Sequence, residues 1–124
     1  MELYFDLNYP KNLADALKLL HNLDETQEIS IQRTMQIDNI DKENSIVFLV
    51  DSAKKGLDIP IVKHFEDGYK VIAFKMKSSN SLDLFRLTLM TLSLWPKILQ
   101  AISNETTPFV YTFTYAGTKI TKMR

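Results

Sequence analysis

Apolar and polar positions along the chain change their period several times, and each change predicts an element. Glu2 to Phe5 reads as a short strand, and Asn8 and Pro10 after it are turn and helix-start signals. Leu13, Ala16, Leu17, Leu20 and Leu23 then recur at helical spacing, with Asn12, Asp15, Lys18 and Asn22 on the other face. Glu28 to Gln32 alternates as a strand with one wet face does. Residues 33 to 44 are polar and acid-rich, with isolated Met35, Ile37 and Ile40, and read as a loop with room for one helical turn.

Ile46 to Val50 is continuous and rich in β-branched residues, the pattern of a strand covered on both faces and therefore central in a mostly parallel sheet. Asp58-Ile-Pro60 predicts a helix cap with proline in the first turn, Ile61, Val62 and Phe65 supply a buried stripe, and Asp67-Gly68 ends it. Tyr69 to Phe74 forms the next strand, and Ser78 to Ser81 a polar loop that caps a long helix from Leu82. That helix is apolar almost all round, through Leu84, Phe85, Leu87, Leu89, Leu92, Leu94 and Trp95, which predicts the most buried helix of the fold. Pro96 is expected to kink or divide it, leaving Lys97 to Ile102 as a second piece. Phe109 to Tyr115 and Lys119 to Met123 alternate around Ala116-Gly117 as a β-hairpin.

Strands alternating with helices predict a three-layer α/β/α sandwich with a mostly parallel central sheet and a C-terminal antiparallel hairpin, over one domain spanning residues 1–124. In such sheets ligands sit at the carboxyl ends of the strands, where adjacent connections diverge. Asp6 and Asp51 each follow a strand, so parallel pairing of those strands would bring two carboxylates from distant sequence to one sheet edge.

Oxygen ligands with water completing the shell suit Mg²⁺ or Mn²⁺, and a metal so held lowers the pKa of bound water and neutralises charge on a phosphate. The structural alternative is that both aspartates cap the helices that follow them. Asp38, Asp41 and Glu43, in the loop before the central strand, are the candidates for a third acid, and solvent-facing charge is the plainer reading of Asp41 and Glu43.

The chain carries no cysteine, which removes disulfides, thiolate metal sites and cysteine nucleophiles. His21 and His64 lack acids at ligand spacing and read as surface or packing histidines. The three glycines are too scattered to form a phosphate-cradling loop, and no serine elbow is present.

Net charge is zero but uneven. Residues 1 to 44 hold nine acids and four bases, and residues 45 to 124 hold six acids and eleven bases. Lys54, Lys55, Lys63, Lys70, Lys75 and Lys77 can line a polyanion path, although lysines on solvent faces are the ordinary case. Tyr111, Phe113 and Tyr115 at alternate positions offer a base-stacking stripe, or, more commonly, a stripe that packs on a helix. No signal peptide opens the chain, and charges and Pro96 interrupt its longest apolar stretch, so a cytoplasmic protein is expected.

The opening FDLNYPKNLADAL resembles the FDENLPxxLAxAL start of a PIN-like domain family, in a compact branch near the VapC-type toxins. IVFLVD is similar to the family's central strand of type VITxD, Trp95-Pro-Lys-Ile-Leu99 to its WPxIL helix, and Pro108-Phe-Val-Tyr111 with Gly117 to its PFxYxxxxxG hairpin. The resemblance implies an acidic cluster that binds Mg²⁺ or Mn²⁺ and cleaves RNA as an endoribonuclease, often as the toxin of a toxin–antitoxin pair. Asp6 and Asp51 match two of the family's acids and are carried over as catalytic metal ligands, with Asp41, or else Asp38, standing for a third. Lys54, Lys55, Lys75 and Lys77 become the RNA-binding candidates.

The chain departs from the family at Leu7, where FDEN has Glu, at IDNIDKEN, where a DEEWI-like stretch is usual, and at Leu49, where VITxD has Thr. A catalytically degenerate PIN-like interaction module is therefore the alternative. A lesser one is a receiver-like signalling domain, in which Asp51 accepts phosphate and Lys77 assists. RNA, an antitoxin-like protein and a second copy in a homodimer are the partners these readings admit; a membrane is not among them.

Overall fold

The computed structural model describes residues 1–23, 29–34, 40–53, 56–76, 83–115 and 119–124. Its elements run β1 (Glu2–Phe5), α1 (Lys11–Leu23), β2 (Ser30–Arg33), β3 (Ser45–Asp51), α2 (Ile59–Glu66), β4 (Lys70–Lys75), α3 (Leu84–Ser103), β5 (Val110–Thr114) and β6 (Thr121–Lys122). The described strands form a single sheet of order β2-β1-β3-β4-β5-β6. All pairings are parallel except β5 with β6, which closes the expected hairpin. β5 also pairs along β4, so the hairpin belongs to the sheet itself. The parallel part, 2-1-3-4-5, is the flavodoxin-like order of doubly wound folds.

Strand alternation sends successive side chains to opposite faces and divides the core in two. Leu3, Phe5, Ile46, Phe48, Ile72, Phe74 and Phe113 pack with Leu13 and Leu17 of α1 and Leu87, Trp95 and Ile98 of α3. Val47, Leu49, Val71, Ala73 and Val110 pack with Ile61 and Phe65 of α2. Helices therefore cover both faces, which is compatible with three layers. Every residue of β3 except Val50 is buried, as its continuous apolar run requires of a strand between two covered faces.

Phe5 and Phe48 are register partners on β1 and β3, and their rings stack with centroids 4.3 Å apart. Trp95 lies 5.7 Å from Phe48 and 6.3 Å from Phe5, fastening α3 to the same pair of strands. α2 ends as its sequence implies. Gly68 takes φ +96°, a region costly for any residue with a Cβ, while Tyr69 N–H reaches back to His64 O at 3.0 Å.

Two expectations change. α3 runs unbroken through Pro96, which lies exposed on the helix while Trp95 and Ile98 on either side of it are buried in the larger core. Packing on both sides supports the helix across the missing N–H. The same helix buries Leu87, Thr91, Leu94, Trp95, Ile98 and Ile102, more side chains than α1 or α2, as expected, while Leu84, Phe85, Leu89 and Leu92 are exposed. Its N-cap is Asp83, whose Oδ1 accepts the Phe85 and Arg86 N–H groups at 3.1 Å; the expected cap at Ser78 to Ser81 lies outside the described residues.

Candidate functional site

β1 and β3 are hydrogen-bonded neighbours, yet the connections leaving them go opposite ways. From β1 the chain passes through α1, on the face of the larger core, to β2 at one side. From β3 it passes through α2, on the other face, to β4 at the opposite side. A crevice opens at the carboxyl ends of two strands where their connections diverge in this way. A cavity of about 290 Å³ occupies that place, lined by Asp6, Asn8, Leu49, Val50, Ser52, Asp58, Pro60, Ile61 and Met76.

Asp6 follows β1 directly, and its N–H donates to Phe48 O at 3.1 Å, prolonging the ladder by one rung. Its carboxylate Oδ1 accepts the Asn8 N–H at 2.8 Å, an Asx-type turn that starts the loop to α1. Burial pushes the Asp6 carboxyl above the usual carboxylate range, against the amides of Asn8, Val50 and Tyr9, which favour the anion. The loop is held from outside by Arg33, whose Nε donates to Tyr9 O at 2.7 Å and whose Nη2 donates to Leu7 O at 2.9 Å. Leu7 is 42% exposed.

Asp51 is the last residue of β3, one position earlier relative to the strand end than the sequence pattern implied, and it is wholly buried. Its Oδ1 accepts two backbone N–H groups, from Ala53 at 3.0 Å and Asp58 at 3.1 Å, and so ties the turn after β3 to the start of α2. Its Oδ2 is buried with no hydrogen-bond partner among the described residues. Desolvation raises the Asp51 carboxyl above its ordinary value; the two amides oppose this, Asp58 adds to it, and Lys75, its register partner on β4, opposes it.

Asp58, read from sequence only as a helix cap, sits at the N-cap of α2 but makes no side-chain cap hydrogen bond. It accepts from Ser52 Oγ at 3.1 Å and lines the crevice together with Asp6. The signal for it was present in the sequence, since the residue that begins the helix after a central strand lies at the same edge as that strand's end.

The other candidates are placed elsewhere. Asp41 stands ahead of β3, where its Oδ1 accepts the Glu43 N–H at 3.1 Å and its Oδ2 accepts the Asn44 side-chain amide at 3.1 Å. The seven residues of β3 span about 20 Å at roughly 3.3 Å each, so Asp41 belongs to the opposite edge of the sheet from Asp6 and Asp51. Glu43 is on that far edge too, its carbonyl accepting Lys70 Nζ at 2.9 Å. Lys75 is at the crevice edge, half-buried beside Asp51. Asp38, Lys54, Lys55 and Lys77 lie outside the described residues.

The aromatic stripe packs inward. Phe113 is buried with its ring 5.2 Å from Phe74, Tyr111 and Tyr115 pack against the larger core, and Tyr115 Oη accepts the Asp83 N–H at 3.0 Å. His21 is buried, and His64 Nδ1 lies 2.6 Å from Pro60 O. Among the described residues no three His, Asp or Glu side chains gather as a set able to hold a metal ion, and no helix is long and apolar enough to cross a membrane.

Asp6 and Asp58 line one cavity, and Asp51, buried, lies in the chain between two more of its lining residues, Val50 and Ser52. No family model, curated protein or solved structure matches the chain.

Proposed function

We propose that the protein is a metal-dependent ribonuclease of PIN-like type, with Mg²⁺ or Mn²⁺ bound at the carboxyl ends of β1 and β3. The observation that carries this reading is Asp51 Oδ2, a buried carboxylate oxygen without a hydrogen-bond partner among the described residues, at a doubly wound sheet's switch point and on the strand next to Asp6. A buried carboxylate keeps its charge only when a cation or a set of donors compensates it, and the donors here reach Oδ1 alone.

Asp6 and Asp51 would hold the ion in this reading, with Asp58 and Ser52 in the same crevice lining. A bound ion would supply an activated water and neutralise charge on the scissile phosphate. Lys75, together with Lys54, Lys55 and Lys77, attracts the RNA backbone. An antitoxin-like protein would act by closing this crevice.

The test is calorimetric titration with Mn²⁺ at neutral pH, with folding checked by circular dichroism. Asp51→Asn and Asp6→Asn are expected to lose binding, and Asp41→Asn, at the far edge, to keep it. Unchanged affinity in Asp51→Asn overturns the assignment. Metal-activated cleavage of RNA, lost in Asp6→Ala, then establishes the activity.

The second reading, an interaction module without catalysis, is favoured by the separation of Asp41 from the other two acids and by the use of Asp6 and Asp51 as staples for their own loops. It predicts no Mn²⁺ binding by the unmodified chain. The receiver-like reading has the 2-1-3-4-5 strand order in its favour, but receivers carry a pair of acids after the first strand, and here Asp6 is followed by Leu7.

A further inference from the structure

Phe85 is the only exposed aromatic side chain among the described residues; every other Phe, Tyr and Trp is buried or half-buried. A single apolar residue in water is ordinary, but the surroundings of this one are not. Phe85, 78% exposed, lines a pocket of about 220 Å³ with Arg86, Leu89 and Met90 of α3 and with Tyr115. The Tyr115 ring lies 4.8 Å from that of Phe74, and its Oη accepts the Asp83 N–H at 3.0 Å. One ring of the pocket is therefore fixed, and the other is open to a ligand.

The pocket lies at the same edge of the sheet as the acidic crevice, because α3 follows β4 and Tyr115 follows β5, both at their carboxyl ends. Val50, which lines the crevice, is the register partner of Phe74, on which Tyr115 packs. With neighbouring strands about 4.8 Å apart, β3 and β5 are separated by roughly 10 Å, the reach of one or two nucleotides. Lys75 ends the strand between them, paired with Asp51 on one side and Thr114 on the other.

We propose that this pocket is a nucleobase subsite, in which an unpaired base of an RNA strand stacks on Phe85 beside Tyr115 while the backbone passes Arg86 and Lys75 towards the crevice. The choice of RNA rests on the ribonuclease reading; the choice of a base rests on the pocket. Its volume is below the roughly 300 Å³ at which pockets for drug-sized ligands begin, and suits one planar ring system better than a whole nucleotide. An exposed aromatic beside a cation is the combination that holds single strands, since every base has a face to stack and every linkage a charge.

Arg86 is available for that charge. Its Nε lies 3.9 Å from Asp83 Oδ2 with both side chains exposed, a weak pair, while Asp83 Oδ1 is occupied in capping α3. An apolar occupant would cover the guanidinium without satisfying its donors, which a phosphate does.

Fluorescence polarisation of a labelled, short single-stranded RNA tests the proposal, run in EDTA so that nothing is cleaved. Phe85→Ala and Phe85→Leu should weaken binding about 5- to 150-fold, and Phe85→Trp, which keeps a ring, should preserve it. Circular dichroism should not change, because the position is exposed. The same strand stripped of its bases should bind the unmodified chain no better than the intact strand binds Phe85→Ala. Failure of the unmodified chain to bind RNA, undiminished affinity in Phe85→Leu, or equal affinity for strands with and without bases each overturns the proposal. A Phe85→Ala chain altered in self-association and not in RNA affinity also overturns it, since the ring then serves a protein contact. Binding through Phe85 without any Mn²⁺-activated cleavage supports the subsite and overturns the ribonuclease reading alone.

Discussion

The indole N–H of Trp95 donates to His21 Nε2 at 2.9 Å, joining α1 to α3 through two buried side chains 74 positions apart. Because Nε2 accepts, the imidazole must be neutral with its proton on Nδ1. The pair sits on the aromatic stack of Phe5 and Phe48, so one polar contact fixes how two helices lie on the two strands that end at the crevice.

His21→Leu should leave the Trp95 N–H buried without an acceptor and destabilise the fold by about 1–3 kcal/mol. His21→Gln, which keeps an acceptor, should recover part of that loss. Urea unfolding followed by the fluorescence of Trp95, the chain's single tryptophan, measures both. Equal stability of His21→Leu and the unmodified chain would show that the hydrogen bond carries no net weight.

Asp6 and Asp51 both have carboxyls raised by burial, so the folded state binds their protons more tightly than the unfolded chain does. Stability from these groups is fully present below the ordinary aspartate value near 3.8 and is lost as pH rises through their higher folded values. Asp51→Asn should flatten the stability-versus-pH curve above the ordinary aspartate value, relative to the unmodified chain without metal. Excess Mn²⁺ should reverse the slope of the unmodified chain alone, because a bound cation favours the charged carboxylate. Urea midpoints from pH 4 to pH 7, with and without Mn²⁺, measure both effects.

The edge that holds these acids was legible because it depends on chain direction alone: residues that follow parallel strands gather at one edge. The same rule separates Asp41. A residue in the loop entering β3 must lie at the edge where β3 begins, however well its chemistry suits a metal. The exposed side of α3 was not legible, since a helix apolar on several faces does not reveal which of them the sheet covers until α1 is laid beside it. Nor was Arg33, whose role depends on two main-chain carbonyls that no side-chain pattern encodes.

Arg33 stands on the exposed end of β2, and its two hydrogen bonds span the loop that presents Asp6 and Asn8. Arg33→Met should cost about 1 kcal/mol, below the range for buried charged hydrogen bonds because water competes for the guanidinium. The local effect should be larger: hydrogen exchange at the amides of Asn8 and Tyr9 should accelerate while that of Val47 and Phe48 stays slow. Uniform acceleration across β3 would mean that Arg33 supports the whole sheet and not the loop.

Pro96 interrupts a helix of 20 residues without bending it out of the core, and it does so on the exposed side. An interior proline removes one helical hydrogen bond and crowds the carbonyl four residues earlier, here that of Leu92, at about 3 kcal/mol relative to alanine in an unsupported helix. Burial of Trp95, Ile98 and Ile102 in the larger core offsets that cost. Pro96→Ala should therefore raise stability by about 1–3 kcal/mol in urea unfolding, with the Trp95 emission maximum unchanged because the indole keeps its place between His21 and Phe48. A loss of stability would instead assign Pro96 a packing role in the apolar cavity of about 580 Å³ that it lines with Met1, Ile29 and Leu99.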